Sequence, residues 1–463
     1  MAEKITCISP VDGRVYASRP LASRKQIART FGAARAAQQK WKRLPLAERA
    51  AYCTAAVDAM VAMTDEIVPE LAWQMGRPIR YGAGEVRGFE ERARYMIAIA
   101  GQALADIDPG PKEGFVRYIR RDPLGVVLTL APWNYPYLTA VNSVIPALMA
   151  GNTVVLKHAA STLLVAERFQ QAFDRAKLPE GVFQHLVLSH PQVGAVIGDR
   201  LADMVCFTGS VAGGKAMEEA AAGLFINVGL ELGGKDPAYV RPDANMAYAV
   251  ENLVDGSFFN SGQSCCAIER IYVHKKVWDE FLDGFVDLTR KYVLGSPLEQ
   301  ATTLGPMVRP EAAAFVRKQI ASAVRAGARA HIDPRTFPMD QARTPYMAPQ
   351  VLTNVTHKMS VMMDESFGPV IGLMKVSDDK EAVALMNDSP YGLTAAVWTE
   401  DVDAAQAIGR EIETGTVFMN RCDYLDPALT WTGVKDTGRG ATLSKVGYEA
   451  LTRPKSYHLR TKT

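Results

Sequence analysis

At 463 residues the chain exceeds what one ordinary hydrophobic core organises, so two or more domains are expected. Hydrophobic residues make up 48% and charged residues 22%, which is the balance of a globular enzyme and excludes a disordered chain. The formal net charge of +2 is spread along the chain without the basic stripe that a phosphate backbone needs, so nucleic acid is not an expected partner.

The opening residues MAEKITCISPVDG contain no long apolar run, and no secretory signal is read there. The most apolar stretches, at 126–131 and 144–150, are too short to span a bilayer, so no membrane partner is expected and a cytoplasmic setting is the default. The first hundred residues read as helical. Ile27, Phe31, Ala34 and Trp41 keep helical spacing, as do Leu46, Ala50, Val57 and Val61. From about 108 to 123 the pattern changes. Phe115, Arg117, Ile119 and Arg121 fall on one face of an extended segment, Val116, Tyr118 and Arg120 on the other, and this two-sided polarity suits a projecting hairpin arm.

Strand and helix then alternate. Short β-branched runs stand at 126–131, 153–158, 204–209 and 225–232, separated by helical segments such as 163–176 with its stripe Leu163, Ala166, Phe169 and Phe173. The spacing predicts parallel βαβ units on a sheet covered on both faces, where ligands bind at the carboxyl ends of strands. A second alternating region from about 235 to 417, with a helix at 311–326 and a strand at 369–376, predicts a second α/β domain. The tail KSYHLRTKT is a polar strand candidate for pairing with the arm.

Unusual residues cluster just after these strands. Cys265 lies in the glycine-containing turn FNSGQSC, and a thiol becomes a nucleophile as its thiolate. Glu231 opens ELGGK after a strand, where a desolvated carboxylate can activate water. Asn134, in PWNYP, can donate its amide to a developing oxyanion. Gly209 and Ser210 end a strand and open a helix, and with Gly214 they give G-x-x-x-x-G, whose amides can hold a pyrophosphate. Singly, each also fits a bland role: a buried cysteine, a loop glutamate paired with Lys235, a turn asparagine, a helix start. Six cysteines (7, 53, 206, 265, 266 and 422) are too sparse for a disulfide framework, and the adjacent pair Cys265-Cys266, with no nearby histidine, gives no metal site.

Together, in this order and spacing, the four pieces resemble the aldehyde dehydrogenase superfamily over essentially the full length, with further matching blocks at 152–157, 365–369, 387–392 and 431–435. The resemblance implies an α/β fold with a Rossmann-like cofactor domain (1–105 and 124–233), an α/β catalytic domain (234–436) and a small β oligomerisation arm (106–123 and 447–463). It implies NAD(P)-dependent oxidation of an aldehyde through a thiohemiacetal and a thioester on Cys265, with Asn134 at the oxyanion and Glu231 activating the hydrolytic water. The glutamate argues against transfer to coenzyme A. A non-catalytic dinucleotide-binding relative and a thiol hydrolase with a distant histidine are the rival readings.

For the cofactor, the resemblance places Lys157 at the adenosine ribose, Gly209, Ser210 and Gly214 at the pyrophosphate, and Glu365 with Phe367 at the nicotinamide ribose. Trp133, Gly181 and Leu232 line the channel. Ala160 stands where many NAD-preferring relatives carry a ribose-gripping glutamate. Its absence removes the bar to a 2′-phosphate, to which Lys157 and His158 would contribute, so NAD or NADP is expected, with NAD slightly ahead as the commoner case. The two arginines that clamp the carboxylate of succinic semialdehyde in its dehydrogenases are replaced by Phe259 and Asn142. Tyr135, Tyr137, Phe258, Tyr424 and Trp431 would then wall a tunnel for neutral or aromatic aldehydes. Arg421 is either a cation for anionic semialdehydes or a salt-bridge partner of Asp423 or Asp426, and Cys266 is a bystander capable of a disulfide under oxidation. A homodimer or homotetramer is expected.

Overall fold

Alternate residues of one apolar strand feed two cores. In the computed structural model, which describes residues 3–462, Val127 of strand Val126–Ala131 packs with Trp41, Phe89 and Phe169, whereas Val126, Leu128 and Leu130 pack with Ile27, Phe31 and Val196. That strand lies inside a six-stranded sheet in the order Gly438–Arg439, Asn227–Glu231, Met204–Thr208, Val126–Ala131, Thr153–His158 and Phe183–His185. All its neighbours pair in parallel except the short Gly438–Arg439. From Val126–Ala131 the chain runs outward to one side, then returns to Met204–Thr208 on the other side. The carboxyl ends of those two strands therefore flank a topological switch point, the crevice where such sheets bind ligands.

A second sheet of seven strands, in the order Arg329–Ala330, Gln350–Thr353, Val370–Val376, Ile268–His274, Asp236–Val240, Thr394–Trp398 and Thr416–Met419, is parallel apart from its first strand. Ile271, Val273, Phe281 and Phe285 fill one face, and Tyr239, Tyr272, Val397 and Ile408 the other. Asp236–Val240 follows Asn227–Glu231 directly, so Glu231 and its glycines bridge the two sheets.

The extended segment Phe115–Pro123 folds back on the residues before it as the expected hairpin, with Ile107 and Ile119 exchanging backbone hydrogen bonds and Lys112 bridging Phe115. It pairs antiparallel, residue for residue, with the tail strand Thr452–Arg460, and Tyr118 stacks on Tyr457 at 4.5 Å between ring centroids. The helical reading of the first hundred residues holds for Arg24–Trp41, Leu46–Val61, Thr64–Met75 and Ile79–Ala103, but fails before residue 21. There Lys4–Ile8 and Val15–Pro20 form an antiparallel hairpin whose turn carries Gly13 at φ +75°. Its alternation is short and only Cys7 and Ala17 reach the interior, too little for the period-two pattern to stand out. Among the described residues no helix is long and apolar enough to cross a membrane.

Candidate active site

The turn before Cys265 is built from strained backbone. Asn260, Ser261 and Gly262 follow one another at φ +53°, +58° and +70°, a conformation that costs a non-glycine residue about 1–3 kcal/mol and persists only where its surroundings impose it. The surroundings do so. Asn260 Nδ2 donates to the Asn134 carbonyl at 3.3 Å and the Gln263 carbonyl at 3.1 Å, Ser261 Oγ donates to Gly305 O at 2.7 Å, and Gln263 Oε1 accepts from Val308 N at 2.8 Å. A Cβ on Gly262 would stand 2.4 Å from Gly368 O, so only glycine fits. Cys265 emerges half-buried from this turn.

Asn134 is buried, and its Nδ2 donates to Gln263 O at 3.2 Å, which brings the amide to the turn that carries Cys265. Its carbonyl accepts from Arg77, whose guanidinium also pairs with Glu85 and lies over the Tyr135 ring at 4.5 Å. Glu85 Oε1 in turn accepts from the Tyr137 and Leu138 amides at 2.9 and 3.1 Å, at the start of helix Pro136–Met149. Arg77 and Glu85, 2% and 0% exposed, thus hold Asn134 from behind. Arg77→Met strands a buried carboxylate and is expected to lower stability by about 3–5 kcal/mol, read by chemical denaturation beside Arg77→Lys, which should lose less.

Glu231 ends its strand under the hydroxyls of Thr208, at 3.2 Å, and Thr442. Burial raises its pKa above the ordinary carboxylate range, and the two hydroxyls and Arg92 only partly offset this. Glu231 and Cys265 line one cavity of about 460 Å³, together with Tyr135, Phe259, Tyr424 and Trp431, the four residues assigned to the substrate pocket. Tyr137 and Phe258 do not belong to it. Both are buried in the core, Tyr137 against Phe169 and Phe258 against Phe285 and Tyr292. Among the described residues no histidine lines the cavity, so the partner that a cysteine–histidine hydrolase requires is missing there. Asp423, expected only as a salt-bridge partner, accepts from Ser264 Oγ at 2.9 Å and Cys266 Sγ at 3.0 Å, bracing both neighbours of Cys265; burial pushes its carboxyl up to about 6. Among the described residues Arg421 forms no salt bridge with Asp423 or Asp426; it lies over the Tyr424 ring at 3.4 Å and does not itself line the cavity.

On the other side of Glu231, Ser210 caps helix Val211–Ala221 by accepting from Gly213 N at 3.1 Å. Gly209 and Gly214 are tightly packed, since a Cβ would stand 2.7 Å from the Phe207 ring and 2.7 Å from the Leu232 side chain. Glu365 is half-buried, accepts from Gly234 N at 3.0 Å, and has its pKa pushed up to about 7 by desolvation and by Glu269. Phe367, at φ +48°, stands edge-on to Trp133 with ring centroids 5.6 Å apart. This loop is tied down by a residue the sequence did not single out. Glu269 accepts from the Ser366 and Phe367 amides at 2.8 and 2.9 Å and pairs with Lys235, so Lys235 is not the partner of Glu231. Lys157, largely buried at a strand end, has no carboxylate in pairing range among the described residues, and burial lowers its pKa. Its neighbour His158 faces inward, with Nε2 at 3.2 Å from Pro136 O and its pKa down to about 3, so it has no charge to offer a 2′-phosphate. Gly181, at φ +86°, packs on Ala33 and Ala37 of helix Arg24–Trp41, a contact that by itself demands glycine. An unpaired ammonium and a helix N-terminus at a switch point fit a ligand carrying phosphates.

The Aldehyde dehydrogenase family model matches residues 1–457. The chain belongs to the aldehyde dehydrogenase family. It is similar to an aldehyde dehydrogenase of Paenarthrobacter nicotinovorans, 35% identical over 446 residues, covering 96% of this chain and 97% of that one. A succinate-semialdehyde dehydrogenase [NADP(+)] of Mycobacterium avium (strain 104) is 34% identical over 412 residues, 89% of this chain and 87% of the relative. The solved NAD-dependent aldehyde dehydrogenase from Sinorhizobium meliloti superposes with a TM-score of 0.94 at 30% identity, covering 100% of this chain and 92% of that one. As a member of this family the chain is an NAD(P)-dependent aldehyde dehydrogenase with that family's α/β fold.

Proposed function

We propose that this aldehyde dehydrogenase converts its substrate to the free carboxylic acid by a cysteine route, with Cys265, Asn134 and Glu231 in separate roles. The observation that carries the reading is one cavity lined by both Cys265 and Glu231, with the Asn134 amide seated on the turn leading to the thiol. The Cys265 sulfur adds to the aldehyde carbon, and the oxyanion meets the Asn134 Nδ2 and the Cys265 backbone N–H. Bound NAD(P) supplies the hydride acceptor. Cys265 is left as a thioester, and Glu231 takes a proton from the water that attacks it, releasing acid and thiol. The raised pKa of Glu231 suits a base that works near neutrality. Aldehyde-dependent growth of reduced-nicotinamide absorbance tests the reading, and its absence across aliphatic, aromatic and anionic aldehydes with both cofactors would remove it.

For the cofactor, Lys157, Ser210, Gly209 and Glu365, with Phe367 and Trp133, form the binding groove in this proposal. Exposed Ala160 leaves room for a 2′-phosphate, and the named relatives include both an NADP and an NAD enzyme. Ala160→Glu is expected to cut kcat/KM with NADP at least about tenfold by charge repulsion while changing the value with NAD less than threefold, measured by initial rates.

The division into cofactor domain 1–105 and 124–233, catalytic domain 234–436 and arm 106–123 with 447–463 belongs to the same proposal, as do a cytoplasmic setting and assembly through the arm. A two-stranded ribbon with Val116 and Leu459 exposed is marginal alone and gains by pairing with another copy, which sedimentation analysis reads as a dimer or tetramer.

A further inference from the structure

Among the described residues, a buried guanidinium in the substrate cavity has no counter-ion. Arg92, on helix Ile79–Ala103, is 8% exposed and lines the cavity that holds Cys265 and Glu231. Its Nη1 donates to Leu138 O at 2.6 Å and to Asn142 Oδ1 at 3.3 Å. Nε and Nη2 have no partner among the described residues, and neither does the Asn142 amide nitrogen, which lines the same cavity. Burying a cation without an anion is expensive unless a ligand completes the pair. The carboxylates nearby are engaged or lie outward. Glu85 belongs to Arg77, Asp423 accepts from Ser264 and Cys266, Glu91 accepts from the Tyr424 hydroxyl at 3.0 Å, and Asp255 is exposed at the mouth. Glu231, tied to Thr208 and Thr442, is the group for which Arg92 offers an alternative, purely electrostatic role.

We propose that Arg92, with the Asn142 amide beside it, binds the far-end carboxylate of the aldehyde, so that the enzyme prefers aldehydes carrying an anionic group over neutral ones of equal length. This rests on the catalytic reading above and names its substrate class. The free Nε and Nη2 form the planar fork that matches a carboxylate. The cation that helix Pro136–Met149 lacks at position 142 is thus supplied from the facing helix.

The test compares 4-oxobutanoate with butanal. Wild type should show the higher kcat/KM on the anion. Arg92→Gln should lower that value about 100-fold while altering butanal less than threefold, and Arg92→Lys should recover part of the loss. An equal fall on both aldehydes, with a displaced acid limb of the pH–rate profile, would mean that the guanidinium serves Glu231 and the thiols, and the proposal would be wrong. Because Arg92→Gln could misfold, succinate is also titrated into wild type against intrinsic fluorescence, with butanamide as control. Succinate binding without butanamide binding supports the assignment, and no succinate binding up to millimolar concentration overturns it. Butanal oxidation without an anion preference removes this proposal and leaves the catalytic reading standing. Oxidation of neither aldehyde removes the catalytic reading, and the succinate titration then decides Arg92 independently.

Discussion

Cys265→Ser is expected to lower kcat/KM for aldehyde oxidation by roughly 10³-fold or more while NAD(P) affinity stays within about twofold. A thiol reacts as its thiolate, an intrinsically strong nucleophile, whereas a serine hydroxyl needs a base at hand to attack a carbonyl. Among the described residues no histidine lines the cavity to act as that base. The proposed cofactor groove rests on Ser210, Lys157 and Glu365, and the hydrogen bonds of Ser210 and Glu365 do not involve the Cys265 side chain. Stopped-flow rates with cofactor titration by fluorescence make the measurement. Oxidation within tenfold of wild type would move the nucleophile to another residue.

Glu231→Gln should separate the two halves of the reaction. The first turnover releases close to one equivalent of reduced cofactor per site, after which the steady state falls by about 10²- to 10⁴-fold, the range for removal of a positioned general base. Glutamine is nearly isosteric, and both threonine hydroxyls can rotate to suit an amide, so the strand end should keep its shape. A pH effect accompanies this. The base works as the carboxylate, and its pKa is raised, so steady-state turnover should fall as pH drops through a value above the usual carboxylate range. That acid limb should be missing in Glu231→Gln. Loss of the burst itself would place Glu231 before acyl transfer and require a different base for hydrolysis.

The chemistry-bearing residues were legible because each follows an apolar run that can only be a strand, and strand ends in a parallel sheet collect at one rim. Trp133 and Asn134 after Val126–Ala131, Gly209 and Ser210 after Met204–Thr208, and Glu231 at the end of Asn227–Glu231 all follow this rule. The supports behind them were not legible. Arg77, Glu85 and Glu269 are unremarkable charges in sequence, and they become buried only because distant segments close over them. The aromatic wall illustrates the same limit. Tyr135 and Phe259 entered the cavity while their neighbours Tyr137 and Phe258 went to the core, a choice made by helix phase at Pro136 and by the left-handed turn after Phe258.

What the sequence determined by itself is local and periodic: strands with two apolar faces, a glycine turn that presents a thiol, a glutamate at a strand end, and a missing acid at Ala160. What the tertiary structure alone decided is which charges face one another. On helix Ile79–Ala103, Arg87, Arg92 and Arg94 read alike in one dimension, yet Arg94 pairs with Asp58 and Glu90, Arg87 stays exposed where it lines the cavity, and Arg92 enters the cavity buried and unpaired among the described residues. Helical spacing assigns a side chain to a direction, but the free energy of a charge depends on the solvent and counter-ions it meets there, and those come from elements far away in the chain.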